Sequence, residues 1–192
     1  MKPERIEERI ARVLYSREAI AERTRELGEA ITRDYGPGRS ARDPRGRPPV
    51  LVCVLHGALL FMGDLVRQIP TEAEQDFICV SSYGDRTSPG AVRLIKDLER
   101  PIAGRNVIIV EDIIDTGYTI DYLLRGFAAR KPSSLAICTL VDKVVRREVP
   151  VKVDYAGFVL EEDAFIVGYG MDYAELYRNL PFVGVLKPEF IR

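Results

Sequence analysis

The stretch Val107–Thr119, V-I-I-V-E-D-I-I-D-T-G-Y-T, constrains the fold more than any other part of the chain. Its apolar run, Val107 to Val110, is short and unbroken, the pattern of a strand buried on both faces. Two adjacent acids, Glu111 and Asp112, end the run. Asp115 then opens a turn through Thr116, Gly117, Tyr118 and Thr119, and a helical pattern follows. A helix mouth leaves amide N–H groups unpaired, and its dipole favours an anion. Thr116 and Thr119 add hydroxyl donors, and Gly117 lets backbone approach a ligand closely. The acids cannot hold phosphate, so they need sugar hydroxyls, a metal or a proton. Together these needs imply a phosphorylated sugar.

The flanking sequence supplies partners for such a strand. Val50–Leu55 is a second buried run, broken by His56-Gly57 and followed by a helical pattern over 58–69. Phe77–Val80 and Ser134–Val141 read as further strands, with shorter ones near 155–160, 165–168 and 182–186 and a helix over roughly 117–130. A helical turn is expected around 173–178. Strands alternating with helices predict one α/β domain with a mainly parallel sheet. Residues 4–34 carry two helical stripes, the second capped by Ser16. The Gly/Pro/Arg-rich segment 36–49 predicts a solvated loop, and 82–95 a flexible hairpin beginning at Ser82-Tyr83.

Net charge is −1, so no global field recruits nucleic acid or a membrane. Cys53, Cys79 and Cys138 each sit in an apolar run without paired spacing, which predicts buried free thiols and a cytoplasmic setting. The N-terminal thirty residues are charged, and no apolar stretch reaches the 18 residues of a membrane span.

In open α/β sheets ligands bind beyond the carboxyl ends of the strands. His56-Gly57, Ser82-Tyr83, Glu111–Thr119 and Asp142-Lys143 all fall at such ends, which predicts one crevice. With these residues in view, the chain resembles the hypoxanthine-guanine phosphoribosyltransferases. E-D-I-I-D-T-G-x-T is similar to that family's phosphoribosyl pyrophosphate signature. The L-x-G turn at 55–57, D-K at 142–143, and F-I-V-G-Y-G-M-D-Y at 165–173 followed by Y-R-N-L add to it.

The resemblance implies a type I phosphoribosyltransferase fold over residues 1–192, with a small hood lobe formed mainly by about 150–192 and the N-terminus. It implies that Glu111 and Asp112 bind the ribose hydroxyls and that residues 115–119 cradle the 5-phosphate. Asp115 would be the general base at the purine, worth ~10²–10⁴-fold in such reactions. His56, Gly57 and Arg178 would meet pyrophosphate, and the loop bearing Ser82 and Tyr83 would close over the site. Lys143, Phe165, Ile166 and Asp172 would line the purine, with Asp172, Glu111 and Asp112 serving Mg2+. A homodimer or homotetramer is implied too.

Lys143 offers only donors, so a 6-oxopurine suits it and adenine does not. His56 departs from the family, which often has lysine there. Its charge should follow pH near neutrality, weakening pyrophosphate binding as pH rises. The family also implies a cis peptide at Leu55–His56. The competing expectation is a pyrimidine-responsive RNA-binding regulator with weak uracil transferase activity. It would need a basic face, and the only basic cluster lies in 39–47.

Overall fold

The computed structural model describes residues 5–38, 43, 45–82 and 92–191, the Ser82 side chain excepted. In chain order these form β1 (Ile10–Tyr15), α1 (Arg17–Tyr35), β2 (Val50–Leu55), α2 (Leu59–Val66), β3 (Glu74–Ser82), β4 (Val92–Lys96), β5 (Asn106–Ile114), α3 (Tyr118–Ala128), β6 (Ser134–Lys143), β7 (Tyr155–Leu160), β8 (Ile166–Val167) and β9 (Val183–Leu186).

Strand side chains alternate between faces, so an unbroken apolar run needs cover on both sides. β5 receives it. Ile108 and Val110 pack with Ile20, Leu27 and Ile31 of α1 and Phe61 and Leu65 of α2. Val107 and Ile109 pack on the opposite side with Ile120, Leu123 and Phe127 of α3. Each such aliphatic side chain contributes roughly 1.5–3 kcal/mol by leaving water. The sheet runs β4-β3-β2-β5-β6-β7. Every pairing in it is parallel except β3 with β4. A second, antiparallel sheet has the order β1-β9-β8.

Several elements differ from expectation. Residues 10–15 form a strand rather than a helix, because β9 takes up their backbone groups with Ile10 opposite Leu186 and Tyr15 opposite Val183. The helix starts where Ser16 caps it, accepting from the Ala19 N–H at 3.2 Å. The small antiparallel sheet is built from β1, β8 and β9, while β7, within the expected hood of mainly about 150–192, joins the large sheet. β5 continues past Val110 through Ile114, so Glu111 and Asp112 lie within the strand. No helical turn forms at 173–178: Tyr173 bridges Leu176, and Ala174, Glu175 and Tyr177 adopt positive φ.

Within 36–49, two of the described residues are tied into the fold. Asp43 is buried, accepts from the Arg45 N–H at 2.9 Å and pairs with Arg47 Nε at 3.0 Å, while Arg47 Nη2 reaches the Gly104 carbonyl at 2.6 Å. Antiparallel β3 and β4 form the arms of the expected 82–95 hairpin. Tyr83 and the rest of its tip lie outside the described residues, as do 39–42 and 44. Cys53, Cys79 and Cys138 are buried and free. Among the described residues no helix is long and apolar enough to cross a membrane.

Candidate active site

β2, β5 and β6 are parallel neighbours, so their carboxyl ends open on one edge of the sheet. At the end of β2 the Leu55–His56 peptide is cis. Gly57 follows in a place with no room for a side chain. A methyl group there would sit 2.2 Å from Asp112 Oδ2, and one on Gly170, at φ 103°, would sit 1.9 Å from the Gly57 carbonyl. These two glycines let the β2 turn, the acids of β5 and the 168–172 segment meet.

Glu111 and Asp112 are both buried, and the Asp112 N–H donates to Glu111 Oε1 at 3.3 Å. Burial, then the neighbouring Asp112 charge, pushes the Glu111 carboxyl well above its usual range. Burial pushes Asp112 up as well, against hydrogen bonds that favour its charged form. Two adjacent buried acids call for donors or a cation. A cavity of about 550 Å³ lies over them, lined also by His56, Gly57, Thr119, Asp172, Glu175 and Arg178. Arg178 Nη2 pairs with Asp172 Oδ1 at 2.8 Å, and Nη1 donates to the Gly170 carbonyl at 2.8 Å. Asp172 Oδ2 also accepts from the Glu175 N–H at 2.8 Å.

Asp115, Lys143, Phe165 and Ile166 do not line that cavity. Asp115 Oδ1 is buried and accepts no hydrogen bond among the described residues. Lys143 Nζ stands 4.0 Å from it, and Arg146 Nη1 3.5 Å from Oδ2. Lys143 ends β6 with only 4% of its surface exposed. Its ammonium donates to Asp163 Oδ1 at 2.9 Å and to the Ala164 carbonyl at 3.1 Å. That bond, with the lysine charge behind it, holds the Asp163 carboxyl below its usual range. Phe165 is 39% exposed and stands perpendicular to the Tyr173 ring, with centroids 5.3 Å apart. Ile166 next to it is buried in β8.

Asp115 is not the cap of α3. Gly117 occupies that position at φ 94°, with no side-chain cap. The left-handed backbone, and a Val149 carbonyl 2.6 Å from where a methyl would stand, both require glycine. Tyr118 turns aside and donates to Glu148 Oε2 at 2.9 Å. Among the described residues no cluster of three or more His, Cys, Asp or Glu is arranged to hold a metal unaided. The sequence reading passed over Glu175 and Asp163. The three-residue step from Glu175 to Arg178 is a weak local signal for the first, while only the fold brings Asp163 to Lys143.

A parallel sheet with buried acids and a Thr-Gly turn at its central strand defines a phosphoribosyltransferase, and residues 39–174 match the family model described as a phosphoribosyl transferase domain. The hypoxanthine-guanine phosphoribosyltransferase of Streptococcus thermophilus is 48% identical over 185 residues, covering 96% of this chain and 97% of the relative. That of Bacillus subtilis is 48% identical over 180 residues, covering 93% and 94%. A crystal structure of a Staphylococcus aureus hypoxanthine phosphoribosyltransferase superposes with a TM-score of 0.88 at 40% identity, covering 98% of each chain. The chain belongs to the hypoxanthine-guanine phosphoribosyltransferase family. All three relatives carry a hypoxanthine or hypoxanthine-guanine phosphoribosyltransferase name, and none of the three names supports the RNA-binding alternative.

Proposed function

We propose that this protein acts in purine salvage, moving the 5-phosphoribosyl group of phosphoribosyl pyrophosphate to hypoxanthine or guanine and releasing pyrophosphate with IMP or GMP. The observation that carries the reading is the placement of Asp115 and Lys143, 4.0 Å apart at the ends of adjacent strands, the first of which, β5, also carries the buried Glu111–Asp112 pair.

Each residue then has a task. Ribose hydroxyls donate to Glu111 and Asp112, supplying the partners those buried carboxylates need. Amides and hydroxyls of 115–119 take the 5-phosphate. Asp115, with its free oxygen, accepts the proton shed by the base as the ring nitrogen attacks. Lys143 donates to the 6-oxo oxygen, Phe165 stacks on the ring, and the Ile166 backbone meets the base edge. His56, Gly57 and Arg178 hold the pyrophosphate, and the loop beginning at Ser82-Tyr83 covers it. Asp172, Glu111 and Asp112 are hard oxygen donors of the kind Mg2+ prefers. Mg2+ is usually held by one or two carboxylates with substrate phosphates and water, which these side chains can supply without a larger cluster of protein ligands. When bound it offsets the charge of the leaving group. We place the protein in the cytoplasm as a homodimer or homotetramer.

The test is an assay with phosphoribosyl pyrophosphate, Mg2+ and each of five nucleobases. Hypoxanthine and guanine are expected to turn over. Adenine should lag by up to ~10⁴–10⁵, since a donor-only lysine would face an amino group. Comparable turnover of adenine overturns the role given to Lys143.

A further inference from the structure

Arg147 has no part in that chemistry, yet it is the most heavily bonded cation beside the phosphate loop. Its side chain is half-buried. Nε donates to the Asp115 carbonyl at 2.9 Å, and Nη2 to the Ile114 carbonyl at 3.2 Å. Nη2 also meets Asp142 Oδ1, and Asp142 stands opposite Ile114 in the β5–β6 ladder. The Glu148 and Val149 N–H groups both donate to the Thr116 carbonyl at 3.0 Å. Three successive carbonyls, 114, 115 and 116, are therefore gripped by 147–149.

A trans peptide is planar, with its C=O and the following N–H pointing in opposite directions. Drawing the Asp115 and Thr116 carbonyls toward 147–149 turns the Thr116 and Gly117 N–H groups the other way, at the mouth of α3. We infer that Arg147, oriented by Asp142, is a positioning residue that aims the Thr116 amide at the sugar's 5-phosphate, while the Glu148 and Val149 N–H groups hold the Thr116 carbonyl and with it the Gly117 amide. A guanidinium suits the task because its planar fork fixes several donors at once. A lysine ammonium lacks that geometry. The inference rests on the phosphate role proposed for 115–119.

The experiment titrates ribose 5-phosphate and inorganic pyrophosphate separately into wild type, Arg147→Lys, and the double variant Arg147→Met/Asp142→Asn, which leaves no unpaired carboxylate. KM values for phosphoribosyl pyrophosphate and hypoxanthine accompany the titrations. Both variants are expected to bind ribose 5-phosphate about 10- to 100-fold more weakly and to raise KM for phosphoribosyl pyrophosphate in step, the size of loss that misplaced binding groups bring. Pyrophosphate affinity and the hypoxanthine KM should move less than about twofold, because neither ligand touches the aimed amides. Equal weakening of both anions would mean general damage and overturn the inference, as would unchanged ribose 5-phosphate binding. If wild type itself ignores ribose 5-phosphate, the proposed function falls and this inference with it.

Discussion

Asp115 and Glu111, two carboxylates a few residues apart, stand in different electrostatic surroundings. Asp115 keeps one oxygen buried and unpartnered beside Lys143, and its side chain does not cap α3. Asp115→Asn preserves size and should leave the loop intact, so phosphoribosyl pyrophosphate KM is expected to stay within about threefold while turnover falls ~10²–10⁴-fold. Steady-state kinetics decide it, and a large KM rise with normal turnover would remove Asp115 from the proton's path. Glu111 is a burden to the unliganded fold. Burial and the Asp112 charge raise its carboxyl above the usual range, so its ionised form is worse off folded than unfolded. Such a contribution is unfavourable at neutral pH and fades as pH falls through the raised value. Glu111→Gln keeps an acceptor for the Asp112 N–H and should raise the melting temperature of the free protein at pH 7 while weakening phosphoribosyl pyrophosphate. A lower melting temperature at pH 7 would contradict the sign.

At the scale of elements, what was legible depended on how local the determinants are. β2 and β5 announce themselves as unbroken apolar runs, and β6 as one interrupted only by Thr139, because both their faces are covered, and Ser16 marks the start of α1 through its own side chain. β1 does not, because its pairing partner lies at 183–186 and its Val13 is left exposed, so the local pattern mimics a helix. The 173–178 turn defeats helical reading because three non-glycine residues there take positive φ. The far end of the large sheet carries its own charge determinant. Arg105 Nη2 meets Glu74 Oε1 at 2.7 Å and the Pro48 carbonyl at 3.1 Å, tying β3 to the entry of β5. That hydrogen bond holds the Glu74 carboxyl below its ordinary value of 4.5. A depressed folded-state value contributes stability that is present above the ordinary value and lost as pH falls through the depressed one. Wild type should therefore lose stability more steeply than Glu74→Gln as pH drops below about 4.5. Parallel denaturation curves across that range would show the pair to be thermodynamically silent.

For the molecule as a whole, the candidate site was legible as strand ends and, together with the family resemblance, as one crevice, while the contacts that assemble it were not. Glu111, Asp112 and Lys143 stand out as polar residues closing apolar runs, a one-dimensional signal. That Asp172 and Arg178 reach the same cavity depends on Gly170 lying against Gly57, a contact between segments more than a hundred residues apart that no local pattern encodes. The cavity thus joins the end of the large sheet to the loop that follows β8. A ligand touching both sides must stabilise their union, whereas a purine alone meets fewer of these groups. Binding at a hundred times Kd adds about 2.7 kcal/mol, which for a chain of this size moves the melting temperature by roughly 5–10 °C. Phosphoribosyl pyrophosphate with Mg2+ should give a shift of that order, and hypoxanthine alone much less. Scanning calorimetry distinguishes the cases. An equal or greater shift with the base alone would mean that the purine side, not the sugar-phosphate side, holds the two parts together.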